Sequence, residues 1–333
     1  METCNGQTRI PAAKRRIGNG RSAIRLLIIF ATALVMPAIA GAQLNSAPPA
    51  RQSAESSEGI ATPILPIYFT ADPFNRMTVP VRLATAGPYA FMVDTGSNRT
   101  VVSRQLAALL RLPLGDRVQI HSATGEATVF MTNVKHLQFG SVSISAIDTP
   151  MLDRNNIGAD GILGTDTLQS TRVVFDFGSG TMSIVRSGKT DLHEEPGSIV
   201  VEARRRAGRL IVTDTTAAGR HVTVVLDTGA QVSIGNEALR NALFRQGVLG
   251  LTEGANLQSV TGDTIQGDYI FLSKLEIDGI TLTNFAVVFA AAHTFKELGL
   301  DRKPAMLLGM NALRAFKKVS LDFGTSQFAV IAP

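Results

Sequence analysis

Cysteine is nearly missing: the 333 residues contain one, Cys4. That excludes a disulfide framework and a thiolate-rich zinc or iron–sulfur site. The histidines (His121, His136, His193, His221 and His293) show no metal-ligand spacing, so no metal or other cofactor is implied. His193-Glu-Glu-Pro lacks the second histidine of a zinc-protease helix, and its proline would break one. There is no G-x-S-x-G, so a serine nucleophile has no support. Ser187-Gly-Lys-Thr190 has Ser183 where a phosphate loop needs its first glycine, and no helix pattern follows.

Net charge is also missing from most of the chain. The total is +5, but residues 1–42 hold six basic residues and only Glu2 as an acid. The rest carries 26 of each sign, which leaves no field to attract nucleic acid. Arg204-Arg-Arg206 lies between two strand-like runs and reads as a solvated hairpin tip. Hydrophobic content is 45%, enough for a sizeable core and against disorder of the whole chain.

The N-terminus has the order of a secretory signal. Basic residues over 14–25 precede an apolar run from Leu26 to Ala40, and small residues follow in Ala38-Ile-Ala-Gly-Ala42. Two cuts fit, after Ala42, which is preferred, or after Ala40. The alternative is an uncleaved anchor, for which the run is short and Pro37 badly placed. Cys4 lies upstream of the run, so it is no lipid-bearing residue of a mature N-terminus. Residues 43–62, rich in Ser, Ala, Pro and Glu, read as a flexible linker.

Beyond the linker the chain alternates apolar and polar residues in short runs split by Gly, Asn and Asp, a β-rich pattern. It also repeats. Phe91-Met-Val-Asp-Thr-Gly-Ser97 returns as Val224-Val-Leu-Asp-Thr-Gly-Ala230. Ser122-Ala-Thr-Gly125 returns as Ser259-Val-Thr-Gly262, Ile162-Leu-Gly164 as Leu307-Leu-Gly309, and Phe175-Asp-Phe-Gly178 as Leu321-Asp-Phe-Gly324. The offsets grow slowly, 133, 137, 145 and 146 residues, as two copies of one unit would show. Helices are few. Ser103 is a candidate cap for 104–111 and Asn236 for 237–245, with short turns after Gly164 and Gly309 that Asp166 and Asn311 could cap. Asp176 and Asp322 read as turn residues.

The chemistry points to the two Asp-Thr-Gly triplets. An aspartate that ends a buried strand is costly to ionise without compensation. The glycine two residues on permits a tight turn and close approach. The threonine hydroxyl can bond across to the other copy. Two such loops face to face put two carboxyls in one site, where they share one proton. One is then an acid and the other a base, held about a water, which suits attack on an amide carbonyl. One triplet would arise by chance in roughly a few per cent of such chains. Two, in matched context, carry far more weight.

These residues resemble the aspartic peptidases of the retropepsin/pepsin type. In that family an apolar-apolar-Asp-Thr-Gly-Ser/Ala loop is followed by an apolar-apolar-Gly segment threaded behind it. The resemblance pairs Asp94, Thr95, Gly96 and Ser97 with Ile162, Leu163 and Gly164. It pairs Asp227, Thr228, Gly229 and Ala230 with Leu307, Leu308 and Gly309. It implies a mainly β, bilobal acid-protease fold of two barrel-like lobes about a pseudo-twofold axis, with a catalytic dyad of Asp94 and Asp227. It also implies flaps over the cleft. Candidates are His121–Glu126, with Thr124 and Gly125, and Gln258–Asp263, with Thr261 and Gly262. Two similar flaps without a tyrosine are closer to a retropepsin dimer fused into one chain than to a pepsin, as in a bacterial-style tandem retropepsin.

The expected organisation is a signal peptide (1–42), a linker (43–62), lobe 1 (63–188), a short joint (189–196) and lobe 2 (197–333). The expected protein is a periplasmic or secreted endopeptidase, monomeric, acting on peptide or protein. Membrane contact is expected only if the N-terminal segment stays uncleaved. The rival class is a peptide-binding protein without turnover. Finally, Ser97 next to the first triplet is expected to donate to Asp94, where Ala230 cannot help Asp227. Asp94 would then hold the charge and Asp227 the proton.

Overall fold

The computed structural model describes residues 67–68, 70–71, 77–188, 195–250 and 252–333. The signal and linker segments, and most of the joint, lie outside the described residues.

The chain is mostly strand, in three sheets. Local alternation explains the strands. Met77–Leu83 buries Met77, Val79, Val81 and Leu83 while Pro80 and Arg82 face out, and Thr171–Asp176 buries every second residue. The long hairpin Gly125–Phe139/Val142–Leu152 turns through Gly140, and Thr264–Ile277/Ile280–Ala290 turns through Asp278 and Gly279. All three turn residues have positive φ.

The repeat in sequence is a repeat in topology. In lobe 1, Ala86–Val93 runs parallel to Gly161–Leu163, which is antiparallel to Val101–Ser103. In lobe 2, Thr223–Leu226 runs parallel to Ala305–Leu308, which is antiparallel to Ser233–Gly235. The third sheet belongs to both lobes. Thr171–Asp176 and Thr181–Arg186 come from lobe 1; Lys318–Asp322, Gln327–Ile331 and Ser198–Glu202 come from lobe 2. The lobes join where Thr171–Asp176 pairs antiparallel with Lys318–Asp322, Val174 opposite Ser320. Beneath it, Phe175, Phe323 and Phe328 are fully buried in one core cluster that contains residues of both lobes. Each such burial contributes about 1.5–3 kcal/mol, so the shared sheet ties the two lobes together.

The helices are short, as expected. Ser103 Oγ accepts from the Leu106 amide at 3.1 Å and starts Arg104–Leu109. That helix stops before Arg111, which takes φ 51°. The Leu112 amide bonds back to the Ala107 carbonyl and the Arg111 amide to that of Ala108, a Schellman closure ahead of Pro113. Asn236 caps Glu237–Arg245 by accepting from Leu239 at 2.9 Å. Asp166 and Asn311 do not cap: helices Thr165–Leu168 and Met310–Leu313 start at Gly164 and Gly309 without a side-chain cap. Asp176 and Asp322 do accept turn amides, Asp176 from Ser179 and Asp322 from Gly324 and Thr325.

Candidate active site

Each aspartate begins where its strand ends. The Asp94 amide bonds to the Leu163 carbonyl at 3.0 Å, and the Asp227 amide to that of Leu308 at 3.1 Å. The apolar-Gly segments Ile162-Leu163-Gly164 and Leu307-Leu308-Gly309 thus lie directly behind the triplets. Their glycines are required by space: a Cβ on Gly164 would sit 2.4 Å from the Arg99 carbonyl carbon, and one on Gly309 2.8 Å from that of Val232.

The threonines lock the loops together. Thr95 Oγ1 donates to the Leu226 carbonyl at 2.8 Å and accepts from the Thr228 amide at 3.1 Å. Thr228 Oγ1 donates to the Val93 carbonyl at 2.8 Å and accepts from the Thr95 amide at 3.1 Å. All four groups are buried, so each bond is costly to lose. Inside this grip each carboxyl packs on the opposite glycine. A Cβ on Gly96 would lie 2.4 Å from Asp227 Cγ, and one on Gly229 2.3 Å from Asp94 Cγ. Any side chain there would push the dyad apart.

The carboxyls are held alike. Asp94 Oδ1 accepts from the Gly96 and Ser97 amides at 2.9 and 3.0 Å. Asp227 Oδ1 accepts from the Gly229 and Ala230 amides at 3.0 and 3.1 Å. Exposure is only 8% and 9%. Burial is the main reason both titrate above the usual carboxylate range. Asp94 is pushed up to about 7, with the Asp227 charge as the second cause; the Gly96 amide, Arg209 and the Ser97 amide oppose it. Asp227 is raised by burial too, against the Ala230 amide, Arg209, the Gly229 amide and a hydrogen bond from Asp94. Two carboxyls held this close do not readily ionise together, so they titrate as one coupled pair and favour a state with a single proton between them.

The hydrogen bond expected from the Ser97 hydroxyl to Asp94 is not made. That hydroxyl donates to the Arg99 carbonyl at 2.8 Å instead. Only the Ser97 backbone amide reaches the carboxyl, and Ala230 offers the same amide. The Ser97/Ala230 difference does not reach the dyad.

Arg209 was not apparent from the sequence. It lies in lobe 2 on strand Arg209–Val212, and its Nε donates to the Gly96 carbonyl at 2.5 Å, across the lobe boundary. Burial lowers its own pKa, while the charges of Asp227, Asp94 and Glu297 raise it. A second missed feature lies behind the triplets. Thr100 donates through Oγ1 and its amide to Asp166 at 2.7 and 2.9 Å. Ser233 donates to Asn311 Oδ1 through its amide at 2.8 Å and its hydroxyl at 2.9 Å. Those hydroxyls also accept from the Gly164 and Gly309 amides, both at 3.1 Å. The repeat held a signal for this pair: Thr100 and Ser233 each stand six residues after their aspartate.

The candidate flaps are hairpins: Arg117–Ser122/Gly125–Phe139 and Glu253–Gln258/Thr264–Ile277. Their tips meet. Thr124 Oγ1 donates to Ser259 Oγ at 2.9 Å, and Ser122 Oγ lies 3.4 Å from Thr261 Oγ1. Gly125 and Gly262 have φ of 142° and 95°, which favour glycine. Each tip also docks on the other lobe. Val260 packs against the lobe 1 cluster with Val129 and Ile157. Across the site, the His293 amide bonds to the Ala123 carbonyl at 2.8 Å.

A two-lobed β molecule, with two Asp-Thr-Gly loops gripping each other on a pseudo-twofold axis, defines the acid-protease class of fold. Residues 79–170 match the family model described as "gag-polyprotein putative aspartyl protease", and residues 213–312 match the one described as "Aspartyl protease". No curated protein matches the chain. Together the two matches span more than half of the chain, which belongs to the retropepsin-like aspartic peptidases as a tandem of two such domains.

Proposed function

We propose that the chain is an exported endopeptidase in which Asp94 and Asp227 activate a water against a peptide bond. The observation that carries this reading is the pair of buried carboxyls, each held by two amides of its own loop and packed on the opposite glycine. The ionised member of the pair is the base that takes a proton from the water. The protonated member gives its proton to the carbonyl oxygen as the water oxygen bonds to the carbonyl carbon. The C–N bond then breaks, and the leaving amine takes a proton from the dyad. An extended substrate would lie between the dyad and the two hairpin tips, held by strand-like hydrogen bonds. That path requires the Thr124–Ser259 contact to open first.

Export is supported by the apolar run and by Ala40-Gly41-Ala42, which set the expected mature N-terminus at Gln43. N-terminal mass spectrometry of protein from the native host tests it; a chain that still begins at Met1 and needs detergent for extraction would be an anchored one. Catalysis is tested by cleavage profiling on a peptide library with Asp94→Asn as control. Cleavage by the unmodified chain alone supports the reading. Peptide binding without cleavage by either would instead make this a binding protein on the same fold.

A further inference from the structure

We propose that the junction of the lobe 1 flap with lobe 2 is a binding site for a divalent transition metal of the zinc type. Its ligands are His121 Nδ1, His293 Nε2 and Glu297, with Glu126 completing the set. The residues come from two lobes, 172 positions apart, so no spacing in the sequence announced them. His121 lies on flap strand Arg117–Ser122 and Glu126 on its hairpin partner. His293 and Glu297 lie one turn apart on helix His293–Glu297 of lobe 2.

The geometry fits the ion. His121 Nδ1 and His293 Nε2 are 3.0 Å apart. Glu297 Oε1 lies 3.4 Å from the first and 3.3 Å from the second. Tetrahedral zinc with bonds near 2.0 Å separates its ligand atoms by about 3.3 Å, so these three atoms already outline one face of such a site. Glu126 Oε1 stands 3.8 Å from His121 Nδ1 while its other oxygen is held by Gln119, so this side chain would swing to take the fourth corner. The two rings lie nearly coplanar, 11° apart, and meet nitrogen to nitrogen. The ion would displace the hydrogen bond between them, and each ring would turn by about 35° to aim its lone pair at the ion. Two carboxylates would balance its charge. The side chains are 16–48% exposed, which leaves the ion a path from solvent without backbone movement.

The site is confined to one side of the pseudo-twofold axis. The lobe 2 hairpin has Gln258 where lobe 1 has His121, and it docks on lobe 1 through Val260. A metal would therefore clamp one flap only, joining the lobe 1 hairpin to lobe 2 beside the Ala123–His293 bond. The flap must lift for substrate to enter, so the bound ion would hold the enzyme shut. That last step rests on the proposed peptidase function; the binding itself does not.

The test titrates Zn²⁺, and Co²⁺ as a coloured probe, into the metal-free mature chain. One ion per chain is expected, with tetrahedral ligand-field bands for Co²⁺. Binding should weaken at least about tenfold in His121→Gln and in His293→Gln. Glu297→Gln, at a half-exposed position, covers the case in which a histidine variant misfolds. Zn²⁺ should slow amide exchange over 122–125, slow peptide cleavage, and release both on chelation. No stoichiometric binding, or binding untouched by all three substitutions, overturns the site. Histidine-dependent binding with no cleavage at any metal level would sink the peptidase reading and leave the site standing. Histidine-dependent binding with cleavage that Zn²⁺ does not slow would overturn the clamp and leave both the site and the peptidase reading standing.

Discussion

The two lobes agree wherever they hold the dyad and differ wherever they surround it. The threonine exchange is matched bond for bond, at 2.8 and 3.1 Å on each side. The supports behind it are matched in role with different chemistry, Thr100 with Asp166 in one lobe and Ser233 with Asn311 in the other. The surroundings are not matched. Arg209 reaches the Asp94 loop from lobe 2. One flap docks through polar His121 and the other through Val260. Symmetry thus builds the acid pair, and asymmetry gives its two members different surroundings. A dimer of identical chains could not fix such a difference in sequence; a tandem chain can.

The sharpest break is at the dyad. Asp94→Asn and Asp227→Asn should each lower kcat by about 10²–10⁴-fold or more, measured on one peptide substrate. Mixing the two variants should restore nothing, because each chain carries both triplets. Recovery in the mixture would mean that sites form between chains.

The matched grip predicts matched losses. Thr95→Val removes a donor from the Leu226 carbonyl and an acceptor from the Thr228 amide, leaving two buried groups unpaired. Thr228→Val does the same in mirror image. Each should cost about 2–4 kcal/mol in urea unfolding. Strongly unequal losses would show that the grip is less symmetric than its distances.

The raised carboxyl has a stability consequence with a definite sign. Asp94 titrates near 7 in the folded chain against 3.8 when free. Between those values the folded state binds more protons than the unfolded one, so stability falls as pH rises through the window. Asp94→Asn removes this loss. It should raise stability at pH 8 by up to about 4 kcal/mol and by little near pH 4. Thermal melts at the two pH values decide; a gain that does not depend on pH would remove the explanation. The same titration should set the alkaline limb of the pH–rate profile near 7.

Arg209→Met tests the one-sided cation. Its charge lowers both carboxyls, so without it both limbs of the pH–rate profile should move to higher pH. Arg209→Lys should restore part of the shift. The smallest effect is expected at Ser97. Since its hydroxyl serves the Arg99 carbonyl, Ser97→Ala should leave the acidic limb where it is, and Ala230→Ser should too. A movement in either would show that a hydroxyl does reach the dyad.

The sequence by itself determined the strands, the repeat, the aspartates and the two functional helix caps. These follow from short-range rules: alternation of side chains, the steric freedom of glycine, and a cap that reaches three residues ahead. It also determined that Asp94 and Asp227 occupy equivalent places, because a repeat in residues becomes a repeat in topology. Tertiary structure alone decided which way the Ser97 hydroxyl turns, since the Arg99 carbonyl competes with Asp94 for it. It alone turned Asp166 and Asn311 away from capping, because Thr100 and Ser233 come within 2.9 Å of them only after the segments thread past each other. It alone brought Arg209 to the Gly96 carbonyl and His121 to His293. Such contacts depend on how two packed lobes meet, and residues more than a hundred positions apart leave no local pattern from which to read them.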